Sequence, residues 1–183
     1  MLDTLDLTAK IASAKRLILD AIGEHQPDFL YIGHSGGKDS CVIHHLVKTT
    51  SVCTIQLVHN PKPTTHPDTY SFIQNLATTT PVHFIDVDCM PGFLHEHGFT
   101  AQIDGTREYE CTRTDKSSTH IVDGVHVTRK GMQSVVTKGI FGLTLYYPIY
   151  NWTDEEVFAY INQNNIQLSK EYNSLLVGGE YFC

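Results

Sequence analysis

Basic charge is scarce in this chain: Lys and Arg number 13 against 20 Asp and Glu in 183 residues, a formal net charge of −7. Non-specific coating of nucleic acid draws on a surplus of cations facing phosphates, so that class of function is excluded. Cysteine is sparse and poorly spaced. Cys41, Cys53, Cys89, Cys111 and Cys183 form an odd set with no C-x-x-C pair, which argues against a disulfide framework and a self-contained zinc finger. The scatter also argues against an iron–sulfur cluster built by this chain alone. No apolar run approaches a membrane span, and residues 1–23 alternate charged and apolar residues instead of running from a basic start into an apolar stretch. The expectation is a reduced, cytoplasmic protein with no membrane partner.

What is present suffices for a core. Hydrophobic residues make up 41% and charged residues 18%, too apolar for a disordered chain. The length fits one domain, expected to span residues 1–183.

Residues 7–25 read as an amphipathic helix, with Ile11, Ala14, Ile18, Ala21 and Ile22 at three- and four-residue spacing and Gly23 as its stop. Residues 29–32 form a short apolar run that enters a glycine turn, and residues 41–47 resume helical spacing. Strands over residues 54–58 and 82–87 flank a helix opened by Pro67 and running to Leu76. Residues 104–140 break into Gly, Thr, Ser, Lys and Arg with short β-like pieces, read as loops and a hairpin over the sheet edge. Order returns at residues 145–149. A helix then starts at Thr153, where Thr153 and Glu156 have capping-box spacing. Alternating strands and helices predict an α/β fold: a doubly wound, mostly parallel sheet with helices on both faces.

The segment Ser35, Gly36, Gly37, Lys38, Asp39, Ser40 falls between the first strand and its following helix. In a parallel sheet that place opens onto the ligand crevice and presents unpaired amides at a helix N-terminus, where an anion belongs. Paired glycines let the main chain approach phosphate oxygens, Ser35 and Ser40 add hydroxyl donors, and Lys38 adds a point charge. Asp39 would be repelled by a polyphosphate unless it holds magnesium or caps the helix, which suggests metal-bridged phosphate binding. A Walker loop would need glycine where Ile32 stands and Ser or Thr where Asp39 stands, and the glycines miss dinucleotide-fingerprint spacing.

With this loop in view, the chain resembles the phosphoadenosine phosphosulfate (PAPS) reductase family within the adenine nucleotide α-hydrolase-like, or PP-loop, superfamily. The similarity extends through His66 and Pro67 to Ile73, through Asp104, Gly105, Thr106 and Arg107 to Glu110, Cys111 and Arg113, and through Pro148, Ile149, Trp152 and Thr153 to Tyr160 and Ile161. The resemblance implies an adenine-nucleotide site for ATP or PAPS. The loop would hold the phosphate or sulfate tail, Lys38 and Asp39 would act on it with Mg2+, and Arg107 and Arg113 would serve as second clamps. Surface ion pairing of either arginine with Glu108 or Glu110 is the competing reading. The implied reactions are α–β cleavage of ATP to adenylate a small substrate, or thiol-dependent sulfonucleotide reduction with Cys183 as nucleophile and a thioredoxin-like donor. A non-catalytic nucleotide-binding regulator stands as a third reading, and a short acidic chain is compatible with a homodimer.

The chain departs from the family pattern at His59, Asn60 and Pro61, where many relatives carry an acidic D-T-G, and at Cys111 and Asn151. Trp152, Cys41, Cys53 and Cys89 are expected in the core. His44 and His45 are expected to divide between a packed and an exposed helix face, and His34 to be either a phosphate contact or a packed strand-end residue.

Overall fold

The computed structural model describes residues 4–108, 119–122, 125–128 and 136–172. Helix α1, Thr4–His25, buries Leu7, Ala14, Ile18 and Ala21 along one stripe. Gly23 does not stop it. The Gln26 amide still bonds to Ile22 O at 3.0 Å, and the chain leaves the helix at Gln26, whose φ is 62°.

Strand β1, Leu30–Gly33, is followed by α2, Lys38–Thr50; β2, Gln56–His59; α3, Pro67–Leu76; and β3, Val82–Phe84. Pro67 opens α3 as expected, since its fixed φ suits the first helical position, and the His66 ring accepts the Asp68 amide as a cap. Helix α4, Met90–His97, and strand β4, Ala101–Ile103, come next. A hairpin of β5, Thr119–Val122, and β6, Val125–Thr128, precedes β7, Val136–Lys138, then β8, Thr144–Tyr146, and α5, Asp154–Gln163.

Six strands form one sheet in the order β3-β2-β1-β4-β8-β7, parallel throughout except for the antiparallel β7–β8 pair. The hairpin expected within residues 104–140 is present as a separate two-stranded sheet, and the same stretch also supplies β7, the edge strand beside β8. Strand side chains divide between two apolar layers. Leu30 and Ile32 face the core shared with α1, α2 and α5, whereas Tyr31 and Val58 face Phe93 and Leu94 of α4. The chain winds outward from β1 to β3 and then crosses to β4 on the other side of β1. The winding therefore reverses between β1 and β4, and their carboxyl ends flank the crevice where open α/β sheets bind ligands.

Cys41 and Trp152 are buried, Trp152 edge-on to Tyr160. Cys53 and Cys89 are exposed, because each lies in a connection outside the apolar run beside it. His44 and His45 are both half-buried. One ring meets His34 and the other bonds to the Tyr160 hydroxyl, so both faces of that turn are covered.

Candidate functional site

The glycine loop turns on three close approaches. A Cβ on Gly33 would lie 2.6 Å from Gln102 Nε2 of β4. Gly36 has φ +87°, and a Cβ there would lie 2.5 Å from Thr69 Cγ2 of α3. Residue 36 must therefore be glycine both for its left-handed backbone and for the methyl against it. On the far side a Cβ on Gly105, in the connection after β4, would lie 2.9 Å from the Asp39 main chain, which presses that connection onto the first turn of α2.

Within the loop, side chains hold the two glycine amides. His34 Nδ1 accepts from Gly36 N at 3.2 Å, and Ser35 Oγ accepts from Gly37 N at 3.2 Å. Ser35 also donates to Ser40 Oγ at 3.3 Å, and Ser40 Oγ donates to Gly37 O at 2.8 Å. Gly37 is the N-cap of α2 and supplies no side-chain cap, so the first-turn amides of α2 face the loop uncapped. His34 is packed, its backbone N–H bonded to Val58 O and its carbonyl accepting from His59 Nδ1 at 2.8 Å. Accepting at Nδ1 assigns its proton to Nε2, whereas His59 carries its proton on Nδ1. Burial, with the neighbouring His44 and His59, pulls the His34 pKa down to about 3.

Behind the loop lies a four-member ion network. Lys38 Nζ is 3.2 Å from Asp39 Oδ2 and 3.2 Å from Asp154 Oδ1. Arg107, 1% exposed, brings Nε to 3.0 Å from Asp39 Oδ1 and Nη2 to 2.6 Å from Asp154 Oδ1, and Nη1 donates to Trp152 O. Two cations thus meet two carboxylates. Burial works against the charge of Lys38, but Asp39 and Asp154 outweigh it and hold the ammonium above its ordinary range. The two carboxyls diverge. Burial keeps Asp39 above the usual carboxylate range despite Lys38 and Arg107, while at the more open Asp154 the arginine and lysine overcome burial and hold it below.

Arg107 therefore stands with Lys38 and Asp39, not on the surface with Glu108. Asp154, which the sequence reading did not single out, is with Asp39 a counter-ion common to both cations. Its only sequence signal is an acidic first turn in a capped helix, a pattern that also serves the dipole alone. Arg113 and Cys183 lie outside the described residues.

The loop opens into a cleft of about 1080 Å3 that runs past Asn60, Asp86, Gln102, Phe158 and Tyr172. On its β4 wall the Tyr31 hydroxyl donates to Gln102 Oε1 at 2.6 Å and Gln102 Nε2 donates to Asp104 Oδ2 at 2.7 Å. Asp104 Oδ1 accepts from the amide and the hydroxyl of Thr106. Among the described residues no group of three or more His, Cys, Asp or Glu side chains is gathered for a metal. Magnesium makes a smaller demand, one or two carboxylates with phosphate oxygens completing the shell. Asp39 could meet it through Oδ2: Oδ1 is buried against Arg107 Nε, while the side chain keeps 18% exposure.

A sequence model of the phosphoadenosine phosphosulfate reductase domain matches residues 82–177, just over half the chain. The match begins after the glycine loop, so the loop rests on its own geometry. The fold is similar to that of FMN adenylyltransferase from Candida glabrata, with 15% identity, TM-score 0.71 and 92% of this chain covered. The chain spans 59% of that protein's length. It is also similar to phosphoadenylyl-sulfate (PAPS) reductase from Candida auris in a phosphate complex, with 15% identity, TM-score 0.62, and 100% of this chain and 96% of that one covered. For the NH3-dependent NAD synthetase of Campylobacter jejuni the identity is 12%, the TM-score 0.60 and the coverage 96% and 79%. No curated protein sequence matches the chain. Among the described residues no helix is long and apolar enough to cross a membrane.

Proposed function

The chain belongs to the phosphoadenosine phosphosulfate reductase domain family, and from that membership we propose that it binds ATP with the polyphosphate on residues 35–40 and adenylates a small acceptor. The observation that carries this reading is the loop itself. It joins β1 to the uncapped start of α2 at the reversal of the winding, holds Gly36 at φ +87°, and sets Lys38 at the mouth of a cleft.

An acceptor nucleophile would bond to the α-phosphorus as the bond to the bridging oxygen breaks, giving an adenylylated acceptor and pyrophosphate. Lys38 and the first-turn amides of α2 are donors for the charge that gathers on the departing pyrophosphate. Magnesium, bound with the nucleotide through Asp39, would neutralise further phosphate charge. Arg107 and Asp154 hold Lys38 and Asp39 in place, and this assigns Arg107 a positioning part rather than a free clamp. An FMN adenylyltransferase crystallised with ATP shares the fold at TM-score 0.69, which supports the nucleotide assignment.

The test is titration calorimetry with ATP and magnesium. We expect saturable binding by the parent and at least about tenfold weaker binding by a Lys38→Ala, Asp39→Ala double variant, the loss of more than one charge-assisted contact. Equal affinity in both ends the proposal. The similarity to a PAPS reductase over the whole chain favours a second reading, sulfonucleotide reduction with Cys183 as the attacking thiol. Sulfite released from PAPS with a thioredoxin donor, and lost in Cys183→Ser, would replace adenylylation by that reaction.

A further inference from the structure

Beside the loop stands a phenol that the proposed chemistry does not yet use. A Cβ on Gly37 would lie 3.1 Å from the Tyr172 hydroxyl and 3.3 Å from Ser35 Oγ, so both hydroxyls stand within one methyl's reach of that glycine. Tyr172 lines the cleft together with Lys38 and Phe158. Its ring packs against the larger core, yet among the described residues its hydroxyl makes no hydrogen bond. Burial holds the phenol above its ordinary pKa, so it remains an O–H donor at neutral pH.

The segment that carries Tyr172 is fixed to the loop by Thr69 of α3. The Thr69 methyl is the group wedged against Gly36, and its hydroxyl bonds to Glu171 Oε2 at 2.8 Å and approaches Ser169 Oγ at 3.5 Å. Tyr172 N closes the turn by donating to Ser169 O at 3.1 Å. One threonine thus registers both the left-handed glycine and the residues that hold the phenol over it. The hydroxyl is open to the cleft and stands over the main chain of the loop, where a ligand oxygen can take the place of water.

We infer that Tyr172 is a ligand-contacting residue whose O–H donates to a phosphate oxygen held by residues 35–40, with Thr69 as the residue that positions it. This rests on the reading of the loop as a polyphosphate site. The experiment is titration calorimetry of the full chain with inorganic pyrophosphate and magnesium, on the parent and on Tyr172→Phe, Thr69→Val, Thr69→Ser and Lys38→Ala. Tyr172→Phe keeps the ring and should bind on the order of tenfold more weakly, with the melting temperature in the absence of pyrophosphate unchanged. Thr69→Val should weaken binding and Thr69→Ser should restore it, because serine keeps the hydroxyl that ties Glu171.

If Tyr172→Phe binds as tightly as the parent while Lys38→Ala is weakened, the inference falls and the loop reading stands. If Tyr172→Phe melts lower with unchanged affinity, the phenol is structural and the inference falls. A parent that takes up no pyrophosphate removes both.

Discussion

Arg107 is the residue whose loss should cost the fold most. It is buried and faces Asp39 and Asp154, so a Leu in its place would take from two half-buried carboxylates the guanidinium they share. Removing one partner of a buried charge network costs roughly 3–5 kcal/mol, because the remaining charges keep their desolvation cost without their pairing. We expect Arg107→Leu to lower the urea midpoint by a corresponding amount. Arg107→Lys should recover only part, since an ammonium cannot span three acceptors in a plane. A midpoint unchanged in the leucine variant would show that the two acids do not need the guanidinium. This network was half legible from the sequence. Lys38 and Asp39 declared themselves by adjacency to the glycines, but Arg107 has Glu108 as a nearer neighbour in the chain, and only the fold brings in Asp154, 47 positions away.

At the level of elements, the helices whose ends carry their own chemistry were readable. Helix α3 begins at the proline that announces it. Helix α5 has its full capping box, Thr153 Oγ1 accepting from the Glu156 amide and Glu156 Oε2 accepting from the Thr153 amide. Thr153→Ala should therefore destabilise the protein by about 1 kcal/mol. It should also loosen Asp154, the next residue, and so lower nucleotide affinity in the same calorimetric titration; affinity equal to the parent's would separate the cap from the site. Strand β4 escaped sequence reading for the opposite reason. It is three residues long with Gln102 at its centre, so no alternation could mark it, yet it pairs with β1 and β8 in the middle of the sheet. Its Gln102 has a partner on either side, Tyr31 and Asp104, which explains a polar residue there without any local signal.

For the whole molecule, buried imidazoles set the response to acid. His34 has an ordinary pKa of 6.5 and a folded value of about 3, and burial also lowers His59 and His44. Between those two values the unfolded chain binds a proton that folded His34 refuses, so unfolding gains as pH falls. Stability should be full above about pH 6.5 and should decline steadily below it, ahead of the range in which carboxylates titrate. Asp39 acts in the other sense at lower pH, because its raised pKa lets the folded form take a proton first. Urea unfolding at pH 7.5, 6.5 and 5.5 measures this, and a flat profile over that interval would contradict it. The parallel sheet was legible as a class because strand and helix signals alternate along the chain. The strand order was not, since the crossing from β3 to β4 passes through α4, whose apolar residues Met90, Phe93 and Leu94 are too few to show a period.

The outermost members of the six-stranded sheet, β3 and β7, are three residues each, and Lys138 ends one of them. A second molecule arriving along either border would find too short a ladder to extend, with a cation waiting at one end of it. Strand-on-strand growth along those two borders should therefore be disfavoured in crowded solutions of this protein.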